Sequence, residues 1–163
     1  MRATIPDDEE RRIASLRELK ILDTEPEERF DRITRLAAAL FNVPMAVISL
    51  VDKDRQWFKS CLGLNAKETP RDAAFCAHVV YSREPMIVPD AFQDVRFADN
   101  PVVINEPRIR FYAGYPLMLD DGSCIGTLCL LDTRPRTLEG PDLERLHDLA
   151  GIALREILGL TTR

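Results

Sequence analysis

The 163 residues contain no long apolar run. The longest, Met45 to Val51, is interrupted by Ser49 and falls far short of the roughly 20 residues a membrane-spanning helix needs. The opening "MRATIPDDEE" lacks the apolar core of a secretion signal. The chain is therefore expected to be cytoplasmic, with no membrane as partner. It also lacks any lysine- or arginine-rich block, and 22 basic residues against 27 acidic ones leave a net charge of -5. Such a surface cannot neutralise a row of phosphates, so nucleic acid is not an expected partner. A catalytic triad, a G-x-x-x-x-G-K phosphate loop and an H-E-x-x-H helix are all missing. With them go the common hydrolytic, nucleotide-cleaving and zinc-protease chemistries, and enzyme activity is not expected.

Cysteine is sparse and spaced badly for a metal. Cys61, Cys76, Cys124 and Cys129 form no C-x-x-C pair, and with no secretion signal their thiols are expected to be reduced. Cys124 and Cys129 sit five apart on what reads as one strand. Simple alternation puts them on opposite faces, so no zinc site is expected there.

What is present describes a folded domain of ordinary size: 45% hydrophobic and 30% charged residues, in a length that suits one core. Ile13, Leu16 and Leu19, three apart, mark a first helix ending near Asp23. In "DTEPEERFDRITRLAAALFNVP" a second helix is expected, with Thr24 as its cap, Phe30, Ile33, Leu36, Ala37 and Leu40 on its inner face, and Asn42 and Pro44 as its stop. "MAVISLVD" reads as a strand buried on both faces and "QWFKSCLG" as its hairpin partner. Trp57 and Phe58 must then face opposite sides, one under a helix and one toward a pocket or a partner.

"DAAFCAHVVYSREP" returns to helical spacing and ends at Pro85, followed by a short strand "MIVPD". From Asp90 to Arg108 neither period is sustained, and an irregular excursion of that length in a compact domain predicts a lid over a cleft. Two strands follow in "IRFYAGYPLMLDDGSCIGTLCLLD", joined at an Asp-Gly turn. Pro141 opens a last helix over 142–158, in which Leu143, Leu146, Ala150, Ala153, Ile157 and Leu160 follow a heptad. That stripe serves either a partner helix or the chain's own sheet. Together the elements predict an α+β fold around a central antiparallel sheet.

The strings "LKILDTEPEERFDRITRLAAALFNVPMAVISLVDKDRQWFKSCLGL", "ETPRDAAFCAHVV", "VPDAFQDVRFADNPVV", "IRFYAGYPL" and "IGTLCLLDTRPR" resemble the GAF domain family. The branch they look like stands at the N-terminus of bacterial sensor histidine kinases and diguanylate cyclases. The likeness spans about residues 13 to 157. It implies five or six antiparallel strands, helices packed on one face and a small-molecule pocket under the long loop on the other. It also implies terminal helices that often join a homodimer. On that division residues 1–23 form an N-terminal helix with a possible dimer contact and 24–163 the GAF domain, with Ile13, Leu16, Leu143, Leu146, Ala150, Ala153 and Ile157 as interface candidates. Family members hold diverse ligands or none known, so the resemblance leaves the cofactor unknown. The 163 residues carry no kinase or cyclase sequence, and output is expected through a separate protein or a removed partner domain.

The candidate ligand residues are Phe75, His78, Asp90, Phe97, Asp99, Asn100, Arg110 and Tyr112: polar groups around the lid with aromatic walls, a combination suited to a small polar ligand. Loop capping explains the same aspartates and asparagine without a ligand. Cys76 and His78, two apart on a helix, diverge by about 200° and cannot easily share a proton or a metal. Cys76 is either a packed thiol or one activated by unpaired amides at the helix start. A bilin-binding member of the family would show the cysteine directly followed by histidine, and here Ala77 intervenes. A free methionine sulfoxide reductase of the family would use cysteines on the sheet edge and lid; this lid has none, and the four thiols elsewhere keep that reading second. The readings in order are a non-catalytic signalling module binding an unidentified small molecule, a thiol-dependent redox sensor or reductase, and a ligand-free dimerisation scaffold.

Overall fold

The computed structural model describes residues 1–159, so Leu160 of the heptad lies outside the described residues. Two helices, α1 (Glu9–Glu18) and α2 (Glu28–Phe41), precede strands β1 (Met45–Val51), β2 (Arg55–Leu62) and β3 (Glu68–Pro70). Helix α3 (Phe75–Ser82), strand β4 (Met86–Val88) and the short helix α4 (Pro101–Ile104) follow, then β5 (Phe111–Met118), β6 (Cys124–Asp132) and α5 (Gly140–Ile157). The six strands form one antiparallel sheet in the order β3-β2-β1-β6-β5-β4. This is the expected α+β architecture. β3 was not anticipated, since three residues are too few to show a period.

Each face of the sheet has its own core. On one, α2 and α5 cover Ala46, Ile48, Leu50, Trp57, Phe111, Leu128 and Leu130. On the other, α3 and the segment after β4 cover Val47, Val51, Tyr112, Cys129 and Leu131. Trp57 is therefore the residue under the helices and Phe58 the one facing the opposite side.

Helix α2 begins later than expected. Its N-cap is Glu27, and the Thr24 hydroxyl instead donates to the Ile21 carbonyl and accepts from Lys59 Nζ. The helix stops where Asn42 turns left-handed, at φ 53°. Its buried stripe is Phe30, Ile33, Thr34, Ala37, Ala38 and Phe41, which leaves Leu36 and Leu40 on the flank, 57% and 53% exposed. The inner face turns toward the small Ala38 and the Thr34 hydroxyl because Thr34 bonds Ser60 of β2.

In α5 four of the heptad positions are spent inside the chain. Leu146, Ala150, Ala153 and Ile157 are buried against α2 and the sheet, as is Leu16 of α1, while Ile13 and Leu143 are half-buried. Of the seven interface candidates these five are core side chains, and the seam they form faces the sheet.

Two bulges reset the alternation of the strands. Between Leu117 and Met118 of β5 the pairing moves from Gly126 to Cys124, and between Ile48 and Ser49 of β1 it moves from Ser60 to Phe58. The first corrects the reading of the cysteines: Cys124 and Cys129 both join the core on the α3 side of the sheet. Gly126 sits at that irregularity because a Cβ there would lie 1.9 Å from the Ser49 carbonyl oxygen. The second brings both Lys59 and Ser60 to the α2 side.

Candidate functional site

A cavity of about 630 Å³ opens on the α3 side of the sheet, toward its β3 edge. Its floor is Val47 of β1, Phe58 and Gln56 of β2, Tyr112 of β5, and Cys129 and Leu131 of β6. One wall is the link from Gly63 to Thr69, the other the start of α3 with Phe75 and Cys76. Pro101 and Val102 of α4, with Pro107 and Ile109, form the roof. The lining is predominantly apolar. Gln56, Asn65, Thr69 and Glu106 supply polar groups, and Gln56 is oriented by accepting from Ser49 Oγ at 2.9 Å and donating to Thr69 Oγ1 at 2.7 Å.

The predicted lid divides in two. Its first half is packed structure: Phe97 is fully buried and stacked on Phe75 with ring centroids 4.1 Å apart. Asn100 caps α4 by accepting from the Val102 amide and donates to the Ala73 carbonyl at 2.8 Å, tying α4 to the turn before α3. Only 101–109 reaches over the cavity.

Of the eight expected ligand residues, Phe75 and Tyr112 line the cavity. Phe97 and Asn100 hold its frame from behind. His78 points away, its Nε2 3.1 Å from the Met1 carbonyl oxygen and its ring edge-on to Phe97; burial holds its pKa below the usual histidine value, the bond to Met1 opposing. Asp90 accepts from the Phe92 amide, and Arg110 lies over the Phe92 ring at 4.4 Å, on the outer surface. Asp99 is exposed. The polar cluster is thus made of caps and surface pairs, because tight turns use short acidic side chains for their own amides.

Among the lining residues that the sequence did not single out are Val47, Gln56, Leu64, Thr69, Ile109 and Leu131. One signal for them was present in "GLNAKETP". Gly63 has φ 88°, and a Cβ there would meet the Pro44 carbonyl oxygen at 2.2 Å, so the chain turns sharply and lays Leu64 and Asn65 along the cavity.

Where the α3 wall meets the floor, the Cys76 sulfur is crowded by polar neighbours. It lies 3.1 Å from Thr127 Oγ1, 3.2 Å from the Tyr112 hydroxyl, which donates to it, and 4.0 Å from the Cys129 sulfur. Tyr112 reaches it by lying along its own strand over Gly114, where a Cβ would be 2.2 Å from the hydroxyl oxygen. The hydrogen bond with Cys129, joined by those of Thr127 and Tyr112, outweighs burial and holds the Cys76 thiol below the ordinary range. The same bond and burial push Cys129 up, and burial beside the two thiols raises Tyr112. Cys76 is thus a packed thiol, and the groups that lower its pKa are these side chains, with the helix-start amides not among the main causes.

Fold, cavity and residue strings meet in one assignment. The sequence profile of the GAF domain matches residues 25–157, and the chain belongs to the GAF domain family. A cyclic di-GMP phosphodiesterase of Pseudomonas aeruginosa is 44% identical over 140 residues, 86% of this chain; the chain spans 23% of that relative's length. Among solved structures, the GAF domain of an Acinetobacter phosphoenolpyruvate-protein phosphotransferase superposes with a TM-score of 0.68 at 19% identity, covering 91% of this chain and 93% of that one. A free methionine-R-sulfoxide reductase from Neisseria meningitidis, solved with its substrate, gives 0.65 at 17% identity, covering 99% and 98%. At these identities the structural likeness shows the fold. Among the described residues no helix is long and apolar enough to cross a membrane.

Proposed function

We propose that the chain is a non-catalytic regulatory module of a bacterial signalling protein, which binds a small molecule in the cavity beneath α4 and passes its occupancy to an output unit. The observation that carries this reading is the cavity itself. About 630 Å³ lies within the range of about 300–1,000 Å³ typical of small-molecule sites, with an apolar lining and a few oriented polar groups. The occupant has an apolar body against Val47, Phe58, Val102 and Leu131, and a polar end toward Gln56, Thr69 and Asn65. The relative from Pseudomonas aeruginosa supports cyclic di-GMP turnover as the regulated output; a histidine kinase or a diguanylate cyclase are the other output classes. A homodimer completes the reading. It is supported by the exposed Leu36 and Leu40, four apart on α2, since the α5 stripe is spent inside the chain.

Native mass spectrometry of the purified protein, with a thermal-shift screen of nucleotides, cyclic nucleotides, amino acids and tetrapyrroles, tests the binding. A ligand at a hundred times its dissociation constant stabilises the fold by about 2.7 kcal/mol. Val102→Trp, which fills the cavity from its roof, is expected to abolish that shift while the unliganded protein stays folded. The reading fails if no compound binds and Val102→Trp simply raises the melting temperature, as filling a structural void would.

A further inference from the structure

The floor of the cavity holds a second feature that small-molecule binding does not use. Cys76 on α3 and Cys129 on β6 are 53 positions apart in sequence, yet their sulfurs lie 4.0 Å from each other. Both line the cavity, so a molecule the size of water that enters beneath α4 reaches them, although each is 3% exposed to bulk solvent. Cys61 and Cys124 do not line it. Their sulfurs sit against the backbone carbonyls of Leu64 and Gly126, and burial raises both thiols, Cys124 to about 11.

We propose that Cys76 and Cys129 are a peroxide-oxidisable pair that closes reversibly to a disulfide across the cavity floor. The Cys76 thiolate attacks one oxygen of hydrogen peroxide; a sulfur–oxygen bond forms, the O–O bond breaks and hydroxide leaves, so that Cys76 becomes a sulfenic acid. Cys129, having lost its proton, attacks the Cys76 sulfur; the disulfide forms, the sulfur–oxygen bond breaks and the second hydroxide leaves. The two thiol protons convert both hydroxides to water. Two electrons pass from the thiols to the peroxide, and an external dithiol returns them when it reduces the pair.

Geometry decides which sulfur attacks. The Tyr112 hydroxyl and Thr127 Oγ1 both lie within bonding distance of Cys76, and such donors favour a thiolate over a thiol. Cys129 stands ready as the resolving thiol. Closing the gap to the disulfide length of about 2.0 Å requires the two sulfurs to approach by about 2 Å. That movement narrows the cavity floor at Cys76, one residue along from Phe75 of the wall. The proposal uses the cavity as a route for peroxide and does not depend on a bound signalling molecule.

The test treats the whole protein with hydrogen peroxide at neutral pH, blocks remaining thiols with N-ethylmaleimide and maps peptides without reduction. The expected result is a Cys76–Cys129 cross-link, reversed by dithiothreitol, with Cys61 and Cys124 recovered as blocked thiols. Cys129→Ser should leave Cys76 as a sulfenic acid that dimedone captures, and Cys76→Ser should remove the cross-link. If either variant fails to fold, the wild-type map decides alone. A map in which both thiols survive peroxide, or in which Cys76 proceeds to sulfinic acid without joining Cys129, overturns the proposal. A cross-link without any thermal-shift hit would leave the pair standing and the ligand reading failed; the reverse outcome would separate them the other way.

Discussion

Glu9 of α1 is ion-paired to Arg71, the residue that follows the cavity rim at Thr69 and Pro70. Arg71 is buried and also donates to the carbonyls of Asp52 and Lys53. The same carboxylate takes Arg12, whose fully buried guanidinium donates onward to the Val51 carbonyl at 2.7 Å and the Cys124 carbonyl at 3.2 Å. One acidic side chain thus joins the rim, the first helix and the ends of the two central strands.

Replacing that carboxylate tests its weight. Glu9→Gln leaves two buried guanidinium groups without their counter-charge, and a loss of about 3 kcal/mol in urea unfolding is expected, toward the low end for a broken buried pair because Glu9 is partly exposed. Burial raises the Glu9 pKa, but hydrogen bonds from Arg71 and Arg12 outweigh it, so the folded value lies below the unfolded one. Its contribution is therefore present above the usual glutamate value of about 4.3 and disappears as pH falls through the lower folded value. The variant's stability should fall less steeply than the wild type's below pH 4.3 or so. Equal slopes would show that Glu9 carries no folding-linked proton.

Gly114→Ala places a methyl group against the Tyr112 hydroxyl, 2.2 Å from its oxygen. The ring must lift from its strand, at an expected cost of about 1–3 kcal/mol. Tyr112→Phe removes only the hydroxyl and its bond to Cys76, and about 1 kcal/mol is expected. Both should slow alkylation of Cys76 at neutral pH, because each takes away a group that favours its thiolate. Unchanged alkylation in Tyr112→Phe would remove the tyrosine from the activation of Cys76.

Charge on α5 and charge on α2 should behave differently. Leu146 is fully buried, and even Leu146→Ala is expected to cost about 2–5 kcal/mol, so a lysine there should unfold the chain outright. Lysines at both Leu36 and Leu40 should leave the melting temperature within a few degrees. Sedimentation velocity at micromolar concentration then reads the dimer: the α2 double variant should shift to monomer, and a dimer that ignores it does not use this face.

Lys59 is a buried cation on the α2 side of the sheet. Its amine donates to Thr24 Oγ1 at 2.8 Å and to the Glu25 carbonyl at 2.6 Å, pairs with Glu27 at 2.7 Å and lies 5.2 Å from the Phe30 ring centroid. Lys59→Met empties all of these at once and should lower the melting temperature more than Glu27→Gln, which removes one exposed partner. Glu27 is pulled down to about 2 by Arg29 first and Lys59 second. Its stabilisation is present above the ordinary carboxylate value and lost only as pH falls through about 2, so thermal unfolding at pH 7 and at pH 2 should separate the wild type from Glu27→Gln only at the higher pH. A Glu27→Gln difference that persists at pH 2 would assign the effect to packing.

Most elements and the family were legible locally, while the three-residue β3 and the four-residue α4 were too short to show a period. Apolar spacing in α2 and α5, the hairpin turn at Asp121 and Gly122 and the branched run of β1 are local signals that sterics and periodicity make legible, and the long strings around them carried the likeness to GAF domains. Tertiary structure decided the rest. The heptad of α5 matched a sheet as well as a partner helix, and only its burial against α2 and the sheet resolved which. The bulges at Gly126 and Lys59 turned cysteines and a lysine to faces that alternation denied them, and at Gly126 the backbones of β1 and β6 approach too closely for any side chain but hydrogen. Phe97, a plausible ligand wall by type and position, is spent on stacking with Phe75, and the cavity is lined instead by Gln56 and Phe58. The meeting of Cys76 with Cys129 depends on how a helix settles on a strand 53 residues away, and no spacing within either segment records it.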